Sequence, residues 1–238
     1  MIDERLAEVR ARIARAARAA GRDAESIRLV AVSKQKPADA VRAAYAAGQR
    51  DFGENYVQEL VKKAEALKDL ADVRWHMIGH LQRNKVRMLT PHAAVVHSVD
   101  SERLAEELGK RANPLPPGRR AFDLGDDRLA VLVEVNVAGE VQKSGSTPSA
   151  LGLVLDSIER QPRLRLLGLM TIPPHTDDPA GARRYFDELL ELREKHGGAR
   201  RLPELSMGMT HDLEHAILAG ATLVRVGTAI FGERTQHA

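Results

Sequence analysis

The feature that most constrains the fold is a regular alternation of short apolar segments with longer amphipathic ones. Several of the short segments are nearly continuous apolar runs, as in buried strands, and a helical pattern separates each segment from the next. The predicted strands cover residues 27–32, 50–53, 73–78, 94–98, 129–135, 164–170, 204–206 and 223–226. Eight parallel strands with intervening helices are what a closed barrel requires, so we predict an α/β fold with a single (β/α)8 TIM-type barrel. An open doubly wound sheet is the alternative, because a local pattern does not show closure.

Two segments lie outside this alternation. Ile2, Leu6, Val9 and Ile13 recur at helical spacing, which predicts an extra helix before the first strand. Residues 113–127 (NPLPPGRRAFDLGDD) are rich in Pro and Gly and predict a surface loop. Because the alternation resumes after this insert, it is not a domain linker, and we expect one domain over residues 1–238.

Composition excludes several classes of function. Lys and Arg total 36 against 33 for Asp and Glu, and the two signs alternate along the chain, so we do not expect nucleic-acid binding. No apolar run approaches the length of a membrane span or of a signal peptide core, so we expect a soluble cytoplasmic protein. Cys is absent, which excludes disulfides, thiolate metal sites and cysteine nucleophiles.

Small and hydroxyl residues follow the last two predicted strands. In barrels the functional residues lie where strands end, and phosphate is commonly bound after strands seven and eight. Ser206 and Gly208 follow the seventh strand, and Gly227 and Thr228 follow the eighth. Backbone N–H groups at these helix starts suit an anion, although ordinary turn glycines explain the spacing equally well.

Lys34 is the candidate for covalent chemistry. Its amine, directly after the first strand, can form a Schiff base with an aldehyde if burial or the nearby Lys36 lowers its pKa. Taken alone, a lysine at such a position is usually a solvated surface residue. An amine that faces a phosphate site matches the two ends of pyridoxal 5′-phosphate.

Arg225 and His76 complete the set of candidates. A guanidinium against the pyridine nitrogen would keep that nitrogen unprotonated and make the ring a poor electron sink, while the alternative is an ordinary ion-paired arginine. His76 either touches the cofactor or fills the barrel. Residues 211–215 match the H-x-x-E-H zinc signature, but no third ligand is evident, so we expect no metal site.

Six segments resemble the pyridoxal phosphate homeostasis proteins. They are LVAVSKQKP at 29–37, DFGENYVQE at 51–59, WHMIGHLQRNK at 75–85, GLMTIPP at 168–174, LSMGM at 205–209 and VRVGTAIFG at 224–232. This family is similar to the isolated barrel domain of alanine racemase. The resemblance implies a protein that holds pyridoxal phosphate and balances the levels of this and related vitamers, with no established reaction of its own. Pyridoxal-phosphate-requiring apo-enzymes are possible partners, and we expect a monomer.

The resemblance also implies roles for individual residues. It makes Lys34 the imine-forming lysine and Arg225 the partner of the pyridine nitrogen. The remaining cofactor contacts that it implies are Ser206, Gly227 and Thr228 at the phosphate, with Asn55 and His76 beside the ring. Lys143 in VQKSG matches a family motif without a derived role, and Thr210 and His211 depart from the family pattern.

Two alternatives stay open. A pyridoxal-phosphate-dependent amino-acid racemase would need a second acid or base on the opposite face of the cofactor. The tyrosines that could serve, Tyr45, Tyr56 and Tyr185, fall in predicted outer helices. A phosphate-binding barrel enzyme without pyridoxal phosphate would leave Lys34 as a surface residue.

Overall fold

The strands form a closed barrel in a computed structural model that describes residues 1–122, 125–140, 142–174, 176 and 178–233. Eight parallel strands follow one another in chain order, and β1 pairs with β8 to close the sheet. They are β1 Arg28–Val32, β2 Asp51–Glu54, β3 Arg74–Met77, β4 Ala93–Val99, β5 Leu129–Glu134, β6 Leu164–Met170, β7 Glu204–Ser206 and β8 Leu223–Val226. The predicted barrel is confirmed, and the open sheet is excluded.

Helices surround the barrel. Those of the described residues are α1 Ile2–Ala19, α2 Ala38–Ala46, α3 Val57–Ala66, α4 Val86–Leu89, α5 Glu102–Arg111, α6 Leu151–Glu159, α7 Arg183–Lys195, α8 Gly198–Arg201, α9 Leu213–Leu218 and α10 Thr228–Phe231. Short 3₁₀ turns lie at Ala24–Ser26, Arg83–Lys85, Pro117–Arg119 and Pro179–Ala182. Within the described ranges, no helix has the length and apolar character needed to cross a bilayer.

The extra N-terminal helix predicted from the sequence is α1. Its apolar stripe, which includes Leu6 and Val9, is buried, because the helix packs against α9 and α10. Arg12, next to this stripe, forms a bidentate ion pair with Glu214 on α9, with Nε–Oε1 and Nη2–Oε2 distances of 2.7 and 2.8 Å. The helix is therefore fixed to the part of the chain that follows β7 and β8.

The insert at residues 113–127 lies between α5 and β5, as predicted, but it is not wholly on the surface. Leu115 and Ala121 are buried in the cluster of apolar side chains that fills the barrel interior. The Arg28 guanidinium, at the start of β1, lies 4.5 Å from the centre of the Phe122 ring. The insert thus covers the N-terminal end of the barrel; its residues 123 and 124 lie outside the described part of the chain.

Candidate functional site

The turn that carries Lys34 joins β1 to α2. The Lys36 N–H donates to the Ser33 carbonyl oxygen over 3.0 Å, and Lys34 is half-buried between them. Gln35 has a φ of +61°, a left-handed conformation that is unfavourable for a residue with a Cβ. Such a backbone persists only where its surroundings hold it.

A buried ion-pair cluster holds the turn on the side of Ser33. The ammonium group of Lys63, on α3, donates to the Ser33 carbonyl oxygen, to Glu54 and to Glu59, over 2.6, 2.7 and 2.8 Å respectively. The Ser33 hydroxyl also donates to Glu54, over 2.6 Å. Burial raises the pKa of Glu54, and the charge of Lys63 opposes that shift. We call Ser33, Glu54, Glu59 and Lys63 the Lys63 cluster.

The same cluster holds the other side of the turn. The Gln35 N–H donates to the Glu59 carboxylate over 2.6 Å. Because Ser33 and Gln35 flank Lys34, the Lys63 cluster fixes the backbone before and after it. The strained turn therefore has a visible physical support.

A second polar network crosses the barrel interior, and we call it the interior chain. Asp51 Oδ1 lies 2.9 Å from His76 Nε2, and His76 Nδ1 lies 2.8 Å from His97 Nε2. His97 Nδ1 lies 2.8 Å from Ser206 Oγ, to which Arg225 donates over 2.7 Å. The interior chain connects the first residue of β2 with the C-terminal ends of β7 and β8.

When both imidazoles are neutral, the Asp51 carboxylate fixes the direction of every hydrogen bond in the interior chain. Asp51 as a carboxylate only accepts, and the Arg225 guanidinium only donates. His76 therefore donates from Nε2 and accepts at Nδ1 from His97 Nε2–H, and His97 Nδ1 accepts the hydroxyl proton of Ser206. Both imidazoles are neutral in this arrangement. Burial lowers the pKa of His76 and of His97, which agrees with it.

Asp51 stays ionised although it is buried. Burial by itself raises the pKa of this carboxyl, but hydrogen bonds from His76 and Arg74 and the charge of Arg28 outweigh burial and lower it. Arg74 holds both carboxylate oxygens, over 2.9 and 2.6 Å. The N-terminal end of the interior chain is thus a fixed negative charge.

Arg225 is held at two points inside the barrel. It donates to Ser206 Oγ and, over 2.9 Å, to the Thr171 carbonyl oxygen. Burial lowers its pKa to about 10, so the guanidinium remains charged at neutral pH. Glu134 interacts with it, and burial together with the charge of Asp100 raises the pKa of Glu134 to about 7. Glu134 Oε2 is buried without a hydrogen-bond partner.

The ends of β1 and β8 meet at the C-terminal rim, where the strands of the barrel end. A Cβ at Gly227 would lie 3.1 Å from the Val32 carbonyl oxygen, so a glycine allows β8 to approach β1 closely there. Gly208, after β7, has a φ of +91°, and its carbonyl accepts from the Arg225 N–H. The loops predicted to bind phosphate therefore share a rim with Lys34.

The remaining predicted residues divide between the rim and the interior. Thr228 begins α10, and Asn55 directly follows β2, where Gly79 allows the backbone to pass close to it. Both lie at the rim. His76 instead lies within the barrel, with both ring nitrogens engaged in the interior chain; a place beside the cofactor ring stays a prediction.

A cavity of about 540 Å³ opens beside the ends of β6 and β7. It is lined in part by Lys143, Ile172 and Met209. Lys143 forms an ion pair with Glu140. The family motif residue for which the sequence suggested no role thus lies at the edge of this cavity.

The H-x-x-E-H segment does not have the geometry of a zinc helix. His211 precedes α9, which begins at Leu213, so the two histidines are not one turn apart on a helix. Glu214 is engaged by Arg12. Over the ranges that the structure describes, no three histidine or acidic side chains are grouped to hold a metal ion.

Comparison with known proteins identifies the family. Residues 5–235 match the family described as alanine racemase, N-terminal domain. The chain belongs to that family. A Pseudomonas aeruginosa member named pyridoxal phosphate homeostasis protein is 48% identical over 235 residues, which are 98% of this chain and 96% of the relative.

Two of the solved structures that share this fold are informative. PipY of Synechococcus elongatus, solved with pyridoxal phosphate bound, is 38% identical, with a TM-score of 0.77 over 98% of this chain and 100% of PipY. Alanine racemase from Corynebacterium glutamicum shares the fold at 16% identity, with a TM-score of 0.61. The match covers 97% of this chain and 62% of the racemase.

Lys63, His97 and Asp51 are among the residues of these networks that sequence reasoning missed. Lys63 falls on the apolar stripe of α3 with Leu60 and Ala64, and a lysine on a buried helix face is a signal that could have found it. His97 lies inside β4, whose other residues are apolar except Ser98. Asp51 carries no comparable signal, because only the register between β2 and β3 brings it to His76.

Proposed function

We propose that this chain binds pyridoxal phosphate covalently through Lys34 and serves, as a monomer inside the cell, to maintain the supply of that cofactor. The observation that carries this proposal is the PipY structure with pyridoxal phosphate bound, because PipY matches this chain over nearly all of both lengths. The name of the Pseudomonas aeruginosa relative supports the homeostasis role.

The residues at the C-terminal rim fit the cofactor. When bound, pyridoxal phosphate supplies an aldehyde that condenses reversibly with a lysine amine. Lys34 provides that amine on a turn whose backbone is fixed on both sides. Gly227, where β8 lies close against Val32 of β1, is at the same rim as Lys34, which is where the proposal puts the phosphate.

The other proposed contacts are those that the resemblance to the pyridoxal phosphate homeostasis proteins implies. Arg225 supplies a permanent cation for the pyridine nitrogen, and Ser206, Gly227 and Thr228 are assigned to the phosphate. Asn55 lies beside the ring in this proposal. Because a guanidinium does not give up its proton, the ring nitrogen stays unprotonated and a carbanion gains little stabilisation. A carrier is therefore favoured over an enzyme with its own substrate, and apo-enzymes that need the cofactor are its recipients.

The racemase alternative is less well supported. Tyr45 donates its hydroxyl to Asp72 on the outside of the barrel, and Tyr185 lies on α7. Tyr56 directly precedes α3 and lines a cavity with Asn55, so it is the tyrosine to test. In the proposed carrier, amino acids incubated with the loaded protein in D₂O gain no α-deuterium, whereas a racemase would exchange that hydrogen.

The covalent site is tested by absorption and reduction. Loaded wild-type protein is expected to show a visible band that borohydride abolishes, leaving a stable label on Lys34. Lys34→Ala should lose the band and the label. Lys36→Ala is the matched control, because its amine is two residues away and donates to the Glu233 carbonyl oxygen. Labelling of Lys34→Ala to the wild-type extent would overturn the assignment.

The carrier role is tested separately by transfer. Loaded wild-type protein and loaded Lys34→Ala are mixed with an apo-enzyme that requires pyridoxal phosphate, and the appearance of enzyme activity is followed. The wild-type protein should release the cofactor more slowly, because the covalent bond must first break. Equal rates would contradict a carrier that holds its cargo through Lys34.

A further inference from the structure

The interior chain contains two buried histidines, His76 and His97, to which the proposed function assigns no chemistry. We propose that the interior chain is a proton relay that couples engagement of the Ser206 hydroxyl by an anionic ligand to uptake of one proton at His76. This inference deepens the proposed function and rests on it, since the ligand group in question is the cofactor phosphate.

The first step is the position of the Ser206 proton. A hydroxyl has one proton and two lone pairs. Ser206 Oγ accepts from Arg225, and its proton is directed to His97 Nδ1, 2.8 Å away. In this state Ser206 has no proton left with which to bind a phosphate oxygen.

The second step is a reversal of the hydrogen bonds that join Ser206, His97 and His76. If Ser206 turns its proton to a phosphate oxygen, His97 must donate Nδ1–H to Ser206 Oγ, because Nδ1 would otherwise lose its partner in a buried site. His97 Nε2 then becomes an acceptor and takes a hydrogen bond from His76 Nδ1–H. His76 keeps its Nε2–H on Asp51, so it now carries both protons. The only net change is one proton taken from solvent, and His76 becomes an imidazolium.

The third step is the balance of charge around the histidines. Asp51, already ionised, directly contacts the nitrogen that would share the positive charge. The other charged groups that act on the two rings or on Arg225 come from several strands and one loop: Arg28, Arg74, Arg225, Glu134 and Asp212. Burial, together with these cations, lowers the pKa of both rings and keeps them neutral when no ligand is present. A phosphate dianion at Ser206 adds the negative charge that shifts this balance.

The N-terminal end of the relay has access to solvent. A cavity of about 390 Å³ on that side is lined by Asp51, Arg74 and Gln49, among others. Protons can therefore reach the Asp51–His76 pair without passing the C-terminal rim. A ligand held by backbone N–H groups alone would not reverse the hydrogen bonds of the interior chain, and its binding would involve no proton uptake. The number of protons taken up on binding therefore distinguishes the two modes of binding.

Calorimetry measures that quantity directly. Binding of inorganic phosphate, pyridoxal phosphate and pyridoxal is measured at about pH 8, where a phosphate ester is a dianion, in buffers that differ in ionisation enthalpy. Wild-type protein should take up one proton with phosphate, and one more with pyridoxal phosphate than with pyridoxal. No uptake in either comparison would overturn the relay.

Asp51→Asn is the decisive variant. The amide of this variant faces Arg28 and Arg74, so its oxygen turns to the guanidinium groups and its NH₂ donates to His76 Nε2. The hydrogen bonds of the interior chain are then reversed without an added proton. Phosphate should still bind, with proton uptake lost. In the wild-type protein, uptake of one proton makes the affinity for phosphate fall by an additional factor of ten per pH unit. Asp51→Asn should lose this factor. Uptake equal to wild type would contradict the proposal.

A measurement on the wild-type protein avoids dependence on the variant. The ¹⁵N chemical shifts of the His76 ring should change from those of a neutral imidazole to those of an imidazolium when phosphate is added. Unchanged shifts with phosphate bound would reject the relay. If pyridoxal phosphate labels Lys34 but no proton is taken up, only the relay fails; if Lys34 is not labelled, the proposed function fails as well.

Discussion

Lys63 lies with its ammonium group between two carboxylates and a backbone carbonyl, on the buried face of α3. Its side chain neutralises Glu54, which is fully buried. Removal of one partner of a buried ion pair leaves the other charge uncompensated, at a cost of about 3–5 kcal/mol. We therefore expect Lys63→Met to lower the free energy of unfolding by that amount, as measured by urea denaturation.

The neighbouring lysine is a matched control for this prediction. Lys62 lies on the exposed face of the same helix, so Lys62→Met should change the free energy of unfolding by less than about 0.5 kcal/mol. Equal effects of the two substitutions would show that the Lys63 cluster does not stabilise the fold.

Glu134 is the residue from which we predict a pH dependence. Its pKa is raised to about 7 in the folded chain. At pH values between the ordinary glutamate pKa and about 7, Glu134 is therefore ionised in the unfolded chain and neutral in the folded one. The contribution of Glu134 to stability is then greatest below about pH 4, falls as the pH rises to about 7, and decreases by roughly 3 kcal/mol in all. Glu134→Gln has no such loss, and we expect it to be more stable than wild type at about pH 8 and similar at about pH 4.

Urea midpoints at the two pH values test this expectation. Exposed Glu106→Gln on α5 is the control, and its effect should stay small at both. A Glu134→Gln variant that gains nothing at the higher pH would mean that the carboxyl is not held neutral in the folded chain.

At the scale of elements, β6 and β7 approach each other more closely than a side chain allows. A Cβ on Gly168 would lie 1.8 Å from the carbonyl oxygen of Glu204. Because β7 has only three residues, little pairing is left if this contact opens. We expect Gly168→Ala to destabilise the protein by more than about 2 kcal/mol through backbone strain, measured by thermal unfolding.

Another glycine substitution controls for the change of residue type. A Cβ on Gly152, within α6, would have no atom nearer than 3.5 Å, and alanine there favours the helix. Gly152→Ala should leave the protein as stable as wild type or more so. The expectation for β6 is wrong if both alanine variants behave alike.

The strands could be predicted from the sequence because the signal is local. Predicted residues 164–170, 204–206 and 223–226 coincide with β6, β7 and β8, since buried parallel strands are short apolar runs between turns. The interior chain could not be predicted in this way. Asp51 and His97 lie 46 positions apart, and they meet the same histidine only when the register between β2, β3 and β4 is known.

At the scale of the whole molecule, the insert between α5 and β5 completes the core at one end of the barrel. Leu115 from this insert is 4% exposed and packs in the interior cluster. Truncation of a buried leucine costs about 2–5 kcal/mol, so Leu115→Ala should lower the free energy of unfolding within that range.

An exposed leucine serves for comparison. Leu153 on α6 is 60% exposed, and its truncation should have a small effect in the same urea titration. If Leu115→Ala is no more damaging than Leu153→Ala, the insert is a dispensable loop and not part of the core.

Because the insert covers the N-terminal end of the barrel, it determines the side on which a cofactor can enter and leave. With Leu115 and Ala121 packed across that end, the proposed carrier would bind and release its cofactor on the side of Lys34. A recipient enzyme would then have to dock over the same opening that a new cofactor molecule enters. Under this proposal loading and delivery exclude each other in time, and the slower of the two would set the overall rate.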